Sequence, residues 1–438
     1  MFIVIAGAGE VGYSLAKDLS ANYEVVVIEK DERKLEELRK LDIDLVEGNA
    51  ADVNVLKKAR TNEADIFIGV TGNSEVNLLS GIVAKKLGAK KTIVRVAAPE
   101  YVDKPIIRNH PLGFDLVICP QLSLAGAMAN LVTIPSAVDF VSFSGGKIDM
   151  VEVILSENSP SVGKKISELS LPENVIITAI YRDKELIVPR GDTKLKVGDK
   201  VAIVGKAESL SEAGNIFGRQ VTKNVVIFGG GTVGSYVAKI LDKSNLNLKL
   251  VDVNSKVCEE LCKVLKRTRV IIGDGTDLDF LMEEEIGKSD VVITTTESDG
   301  KNLLIALLAK SLGAKKAIAK VERGSYIRLF EKVGVDVALS PREIACVEIL
   351  KHLRLMKVKT FAEVGKEESA VLEIVVEKDK FSGKKLRDIK LPKGSIVGCI
   401  LRDDHCLIPR GETEIKLGDR LLIFTTWDEI EKIESKFK

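Results

Sequence analysis

Histidine and paired cysteine are the scarcest chemical resources of this chain: 438 residues hold 3 His and 6 Cys, with no Cys-x-x-Cys pair. That scarcity excludes the common zinc frameworks and a disulfide scaffold. Cys258 and Cys262 have the spacing of two ligands on one helix face, but too few histidines remain to complete a set. All the thiols (Cys119, Cys258, Cys262, Cys346, Cys399, Cys406) therefore read as small, semi-buried side chains in a reducing cytosol, and no metal site is expected. An excess of one charge is also missing. Lys and Arg number 65 against 64 Asp and Glu, so the net charge is +1 and no general nucleic-acid binder is expected. Long apolar runs are few. Leu116 to Val138 carries no charge and is long enough to span a bilayer. Pro120 and Pro135 bracket it, however, and Gln121, Ser123 and Asn130 interrupt it. The matching stretch after Pro341 carries Arg342, Glu343, Glu348, Lys351 and Arg354. No signal peptide is expected either, because Gly7 already opens a loop. These features describe a soluble chain.

What the sequence does have, it has twice. Phe2-Ile3-Val4-Ile5-Ala6 runs into Gly7-Ala8-Gly9-Glu10-Val11-Gly12, and Val225-Val226-Ile227-Phe228 runs into Gly229-Gly230-Gly231-Thr232-Val233-Gly234. Each is a G-x-G-x-x-G between a short apolar strand and a helical pattern, with an acid further on, Glu29 or Asp252, near the expected spacing of about 20 residues. The repetition continues. Asn77-Leu78-Leu79 answers Asn302-Leu303-Leu304, and Leu87-Gly88-Ala89-Lys90-Lys91 answers Leu312-Gly313-Ala314-Lys315-Lys316. Pro189-Arg190-Gly191 answers Pro409-Arg410-Gly411, and Gly198-Asp199 answers Gly418-Asp419. The unit is far longer than the roughly 20–50 residues of a solenoid repeat, so the chain comprises two homologous multi-domain modules.

Each module opens with alternating strand and helix signals. Strands read at Ile3–Ala6, Glu24–Ile28, Leu45–Val46, Asp65–Val70, Thr92–Val96 and Leu116–Ile118, and again at Val225–Phe228, Leu248–Val251, Val270–Ile272, Asp290–Thr294, Ala317–Lys320 and Val337–Leu339. Short apolar strands separated by amphipathic helices imply a parallel sheet covered on both faces. The segments after Phe140 and Phe361 are too short for another such sheet and mix β signals with turn signals at Gly163, Pro172, Gly191 and Gly198. The expected fold class is α/β: two Rossmann-like doubly wound domains (1–119 and 221–340), each followed by a linking helix (120–139 and 341–360) and a small α+β domain (140–220 and 361–438). The linking helix after Pro120 is too apolar for water and is expected to be buried against a neighbouring module. Its charged counterpart should be more exposed.

The fingerprint has a chemical reading. The first glycine permits a tight turn, the second lets the backbone approach a pyrophosphate, and the third allows close helix–strand packing. The helix start that follows offers free N–H groups and a partial positive charge. Glu29 and Asp252 can accept hydrogen bonds from both ribose hydroxyls and would repel a 2′-phosphate, which favours NAD(H) or an adenine nucleotide such as ATP or ADP. Arg95 and Lys320 close the fifth strands; each either reaches a phosphate or pairs with a neighbouring carboxylate. Thr71-Gly72 and Thr295-Thr296 end the fourth strands, and Gly48-Asn49-Ala50 and Gly273-Asp274-Gly275 should lie beside the adenine. No catalytic set accompanies these sites. His110, His352 and His405 have no counterparts between the copies, and neither a Ser–His–Asp pattern nor a Walker lysine loop is present. A non-enzymatic binder is expected; an NAD-dependent oxidoreductase is the alternative from another class.

Together these motifs resemble the RCK, or KTN, family of potassium-transport regulators in its tandem form, across essentially the whole chain. The small domains carry the more specific part of the likeness. Gly163-Lys164-Lys165, Leu171-Pro172, Tyr181-Arg182-Asp183 and Lys196-Val197-Gly198-Asp199 recur as Gly383-Lys384-Lys385, Leu391-Pro392, Leu401-Arg402-Asp403 and Leu417-Gly418-Asp419. The resemblance implies RCK N- and C-terminal domains and a peripheral protein on the cytoplasmic face of the plasma membrane. It further implies a ring-like homo-oligomer, dimer or tetramer, gating a separate transmembrane potassium transporter in response to NAD(H) or adenine nucleotide; a regulator of a different ion transporter is the alternative. By match to the family's motifs the site residues are Gly7, Gly9, Gly12, Glu29, Thr71, Gly72 and Arg95, with Gly229, Gly231, Gly234, Asp252, Thr296 and Lys320. The intervening Ala8, Glu10, Val11, Gly230, Thr232 and Val233 complete the loops. Two departures suggest unequal sites: the Gly-Gly-Gly start, which should loosen the second loop, and Lys320 in place of Arg95, a less well-defined phosphate clamp.

Overall fold

The computed structural model describes residues 1–103, 114–133, 137–143, 148–183, 185–187, 189–217, 222–354, 361–364, 369–377, 381–392, 394–402, 405–426 and 429–437. His110, Pro135 and Asp403 lie outside the described residues. The first sheet contains β1 (Phe2–Ala6), β2 (Glu24–Glu29), β3 (Asp44–Glu47), β4 (Ile66–Gly69), β5 (Lys91–Arg95) and β6 (Leu116–Ile118), in the spatial order β3-β2-β1-β4-β5-β6, all parallel. Ile3, Val4, Ile5 and Ala6 are all buried, as a central strand covered on both faces requires. Helices return over both faces and start on short polar caps: Asn73 accepts from Val76 N at 2.7 Å, and Asp31 accepts from Arg33 N at 3.1 Å.

A small antiparallel sheet follows: β7 (Ala137–Phe143), β8 (Ile148–Ile154), β9 (Val175–Arg182), β10 (Glu185–Ile187) and β11 (Lys200–Gly205), ordered β10-β9-β11-β8-β7. β7 opens ahead of the boundary expected at 140. The second module repeats the plan. Its parallel sheet contains β12 (Asn224–Phe228), β13 (Asn247–Asp252), β14 (Arg269–Ile272), β15 (Val291–Thr294), β16 (Lys316–Lys320) and β17 (Val337–Leu339), ordered β14-β13-β12-β15-β16-β17. Its small sheet contains β18 (Phe361–Val364), β19 (Ser369–Val375), β20 (Ile396–Arg402), β21 (His405–Leu407) and β22 (Arg420–Thr426), ordered β18-β19-β22-β20-β21. The fold is therefore two Rossmann-like α/β domains, each followed by a small antiparallel domain.

The repeated Arg and Gly-Asp motifs of the small domains form the same ion pair in each, a buried carboxylate held by a half-buried arginine. Arg182 Nε and Nη2 donate to the two oxygens of Asp199 at 2.7 and 2.8 Å, and Arg402 does the same to Asp419 at 2.8 and 2.8 Å. Each carboxylate also accepts a backbone N–H, from Lys196 or Lys416. The pair ties the end of one strand to the turn before another.

The modules are interleaved through their linking helices. The first, Pro120–Thr133, places Leu124, Met128 and Val132 in one apolar cluster with Val233 and Val237 of the second Rossmann-like domain. The second, Pro341–Arg354, places Ala345, Ile349 and Leu353 against Val11, Leu15 and Leu19 of the first. The two helices meet where Ser123 Oγ donates to Glu348 Oε2 at 2.8 Å. The small sheets also join: Met150, Ala179 and Val204 share a cluster with Val371, Leu401 and Phe424. As expected, no position from 120 to 132 is exposed, whereas the charged helix exposes Glu343 and Val347. Its apolar stripe is nonetheless docked, an exchange that the sequence did not announce.

Matching lysines at the start of the fifth strands cap the exchanged helices. Lys316 Nζ donates to Leu131 O at 3.0 Å, and Lys91 Nζ to His352 O at 3.4 Å. Burial pushes Lys316 down from 10.5 to about 7, with Asp336 favouring the charged form. A lowered lysine means that the unfolded chain binds more protons between these values, so folding stability gains from this group as pH rises from about 7 to 10.5 and loses as pH falls. Lys316→Met removes the group. The difference in melting temperature, wild type minus variant, is expected to climb across that window by the equivalent of a few kcal/mol (~1.4 per pH unit at most). A flat difference would mean that the amine stays charged when folded.

Candidate nucleotide-binding clefts

In the first sheet the connections run outward in opposite directions from β1 and β4, which leaves a crevice at the carboxyl ends of those strands. The loop Gly7–Gly12 lies there. Gly7 has φ +106°, and a Cβ on it would stand 2.8 Å from Thr71 Cα. A Cβ on Gly12 would stand 1.9 Å from Gly7 O. These two glycines are demanded by the protein's own packing. Gly9 is different: its φ of −68° and ψ of −177° suit any residue, and a Cβ there would meet nothing within 4 Å. The matching set behaves alike. Gly229 has φ +99°, a Cβ on Gly234 would stand 1.9 Å from Gly229 O, and Gly231 faces open space.

The acids hold the loops. Glu29 is buried and accepts from Ala8 N at 2.6 Å through Oε2, and from Lys30 N and Asp31 N through Oε1. Asp252 accepts from Gly230 N at 2.6 Å and Asn254 N at 2.8 Å. An ionised carboxylate has about four acceptor positions, so capacity remains for a ribose. The repeated Asn-Leu-Leu motif also finds its meaning. Asn77, 1% exposed, accepts from Thr71 N and Oγ1 at 2.8 and 2.6 Å and donates to Thr71 O and Arg95 O at 3.1 and 2.9 Å. Asn302 makes the same four bonds to Thr296 and Lys320. A fully satisfied buried amide thus fixes the ends of the fourth and fifth strands.

Beside the first loop is a cleft of about 630 Å³, lined by Gly7, Gly9, Glu10, Val11, Glu29, Gly48, Asn49, Ala50, Thr71, Gly72 and Arg95. Nearly all the residues expected at this site converge here; Ala8 and Gly12 are buried beneath the loop. The sequence reading missed Lys30 and Lys34, and above all Arg342, which reaches the cleft from the second module. Arg342 pairs with Glu10 and lies 3.9 Å from Glu322. Burial first, then the charge of Arg342, lowers Arg95 below its ordinary value, with Glu322 opposing.

The second loop differs from expectation in three respects. Gly230 does not loosen it: a Cβ there would stand 2.7 Å from Val257 Cγ1, so the glycine admits the neighbouring helix Ser255–Val264. Thr295 donates to Phe228 O and Gly229 O at 3.0 Å and is spent on the fold. Lys320, 8% exposed, pairs with Glu322 at 2.9 Å, the carboxylate alternative of the two readings. Thr232 opens the helix after the loop, and Val233 packs in the core.

Residues 3–120 and 225–341 match the family model of the TrkA-N domain, and residues 150–218 and 371–438 that of the TrkA-C domain. The chain belongs to the TrkA family. It is 54% identical to the Trk system potassium uptake protein TrkA homolog of Archaeoglobus fulgidus over the whole of both chains. With the Trk system potassium uptake protein TrkA of Vibrio alginolyticus it shares 31% identity, over 97% of this chain and 95% of that one. Among solved structures, the GsuK RCK domain is similar with a TM-score of 0.62 at 20% identity, covering 100% of this chain and 94% of that one. The GsuK channel bound to NAD is similar with a TM-score of 0.64 at 20% identity, covering 100% and 78%. At these identities the structural likeness speaks for the fold, and the RCK resemblance read from the motifs is a TrkA-family architecture in tandem. No helix among the described residues is long and apolar enough to cross a membrane.

Proposed function

We propose that this chain is a non-enzymatic, nucleotide-sensing regulatory subunit of a Trk-type potassium uptake system. It binds NAD(H), ATP or ADP in two Rossmann-like sites and gates a separate transmembrane potassium transporter from the cytoplasmic face as a ring-like homo-oligomer. The observation that carries the nucleotide part is the pair Gly9 and Gly231. Neither backbone conformation nor packing calls for glycine at either position, and close approach by a phosphate does. The names of the full-length relatives support the transport part, since each is called a Trk system potassium uptake protein. The wiring suits a sensor. The first cleft lies between the loop of one module and the linking helix of the other, so a ligand that fits one spacing better than another shifts the balance between them.

The test is calorimetric titration of the full chain with NADH, NAD⁺, ATP and ADP, for the wild type, Glu29→Ala and Asp252→Ala. Two binding events are expected in the wild type, and each substitution should remove one of them. Absence of binding by every nucleotide would sink the sensor reading.

A further inference from the structure

We propose that Arg342 of the second module is a phosphate-binding residue of the first module's cleft, one that makes this cleft select nucleotides bearing a terminal polyphosphate. The proposal rests on the nucleotide reading above and names the discriminating group. Arg342 is the second residue of the helix Pro341–Arg354, and that helix is locked onto the first loop's own helix through Ala345 and Ile349 against Val11 and Leu15. Its guanidinium is therefore delivered to a fixed place on the cleft wall, beside Arg95. Arg95 has no ion-pair partner among the described residues. Two guanidinium groups lining one cleft repel each other, and Arg95 titrates below its ordinary value partly for that reason. Glu10 and Glu322 offset the repulsion in the resting arrangement. A polyphosphate satisfies both arginines at once, with the planar fork suited to the two oxygens of a terminal phosphate. A dinucleotide has no terminal phosphate to offer.

The second loop lacks the device. Gln121 follows Pro120 where Arg342 follows Pro341, and Thr232 stands where Glu10 does. Its strand-end cation, Lys320, already has Glu322 at 2.9 Å. A neutral amide and a paired lysine give little reason to prefer three phosphates over two.

The experiment titrates the full chain with ATP, AMP and NADH in the wild type, Arg342→Gln and Gln121→Arg. For Arg342→Gln we expect ATP affinity at the first cleft to fall by at least roughly tenfold, with AMP and NADH affinities changed by less than about twofold. Gln121→Arg is expected to strengthen ATP binding at the second site, a gain that a folding defect cannot mimic. Equal losses for ATP and AMP in Arg342→Gln, or no loss for either, would overturn the assignment and leave Arg342 a purely structural residue. A wild type that binds AMP and NADH but no ATP would overturn it while sparing the nucleotide reading. A wild type that binds nothing would overturn both.

Discussion

Valine at position 9 is expected to weaken nucleotide binding at the first cleft by roughly 100-fold or more, about 2.7 kcal/mol, while the protein melts within about 2 °C of wild type. The two halves of this expectation have separate causes. Gly9 is already extended, nothing lies within 4 Å of where its Cβ would be, and no side-chain cap bond is lost when it changes. A Cβ there meets no protein atom within 4 Å, and changes that disturb no packing usually cost within about 0.5 kcal/mol. The branched carbons of valine do fill the space in front of the helix start that a pyrophosphate would occupy. Gly12→Ala is the contrasting control: its Cβ would fall 1.9 Å from Gly7 O, so stability should drop along with binding. Calorimetry and thermal melts on both variants separate the outcomes. Normal binding by Gly9→Val would remove the loop from the site. Gly231→Val should act on the second site in the same way.

The larger effect on stability is expected in the small domains. Asp419→Asn keeps the shape of the side chain but leaves Arg402 without its bidentate partner and Lys416 N with a weaker acceptor. Asp419 is 1% exposed, so water does not replace the lost charge. Removing one member of a fully buried pair costs about 3–5 kcal/mol; with Arg402 partly exposed, the lower end of that range, about 3 kcal/mol, is expected here. Since a domain of 60–100 residues moves by about 4–8 °C per kcal/mol, an early melting step more than ~10 °C below that of the wild type should appear in calorimetry. A shift of a degree or less would mean that the Arg402–Asp419 pair contributes nothing net. Asp199→Asn should do the same to the first small domain, where Arg182 is the stranded partner.

The strands of both Rossmann-like sheets could be read from the sequence to within a residue or so, because the central ones are apolar runs rich in Val and Ile and buried on both faces, and the edge strands follow at the same spacing. The glycine loops were legible for a similar reason: strand, turn and helix succeed one another within a few residues. What sequence could not supply were relations between distant positions. Nothing near Glu10 announces that Arg342 lies against it; the available signal was the change from Pro-Gln to Pro-Arg at matching helix starts. Gly230 reads as looseness until Val257 is placed beside it. Asn77 and Asn302 read as a repeated word, since a buried amide's four partners belong to two other segments, the ends of the fourth and fifth strands. β7 was missed because Ala137–Phe143 adjoins the uncharged stretch after Pro120 and shares its apolar composition.

The exchange of linking helices also bears on how the two halves have been free to change. Identical subunits meeting at such a junction would be bound by symmetry, and any alteration of one binding site would appear in its twin. Here both halves are translated from one message and joined by a covalent tether, so their pairing persists at any dilution. Each can drift alone. Arg342 where the other half has Gln121, and Glu10 where it has Thr232, are differences that such freedom permits.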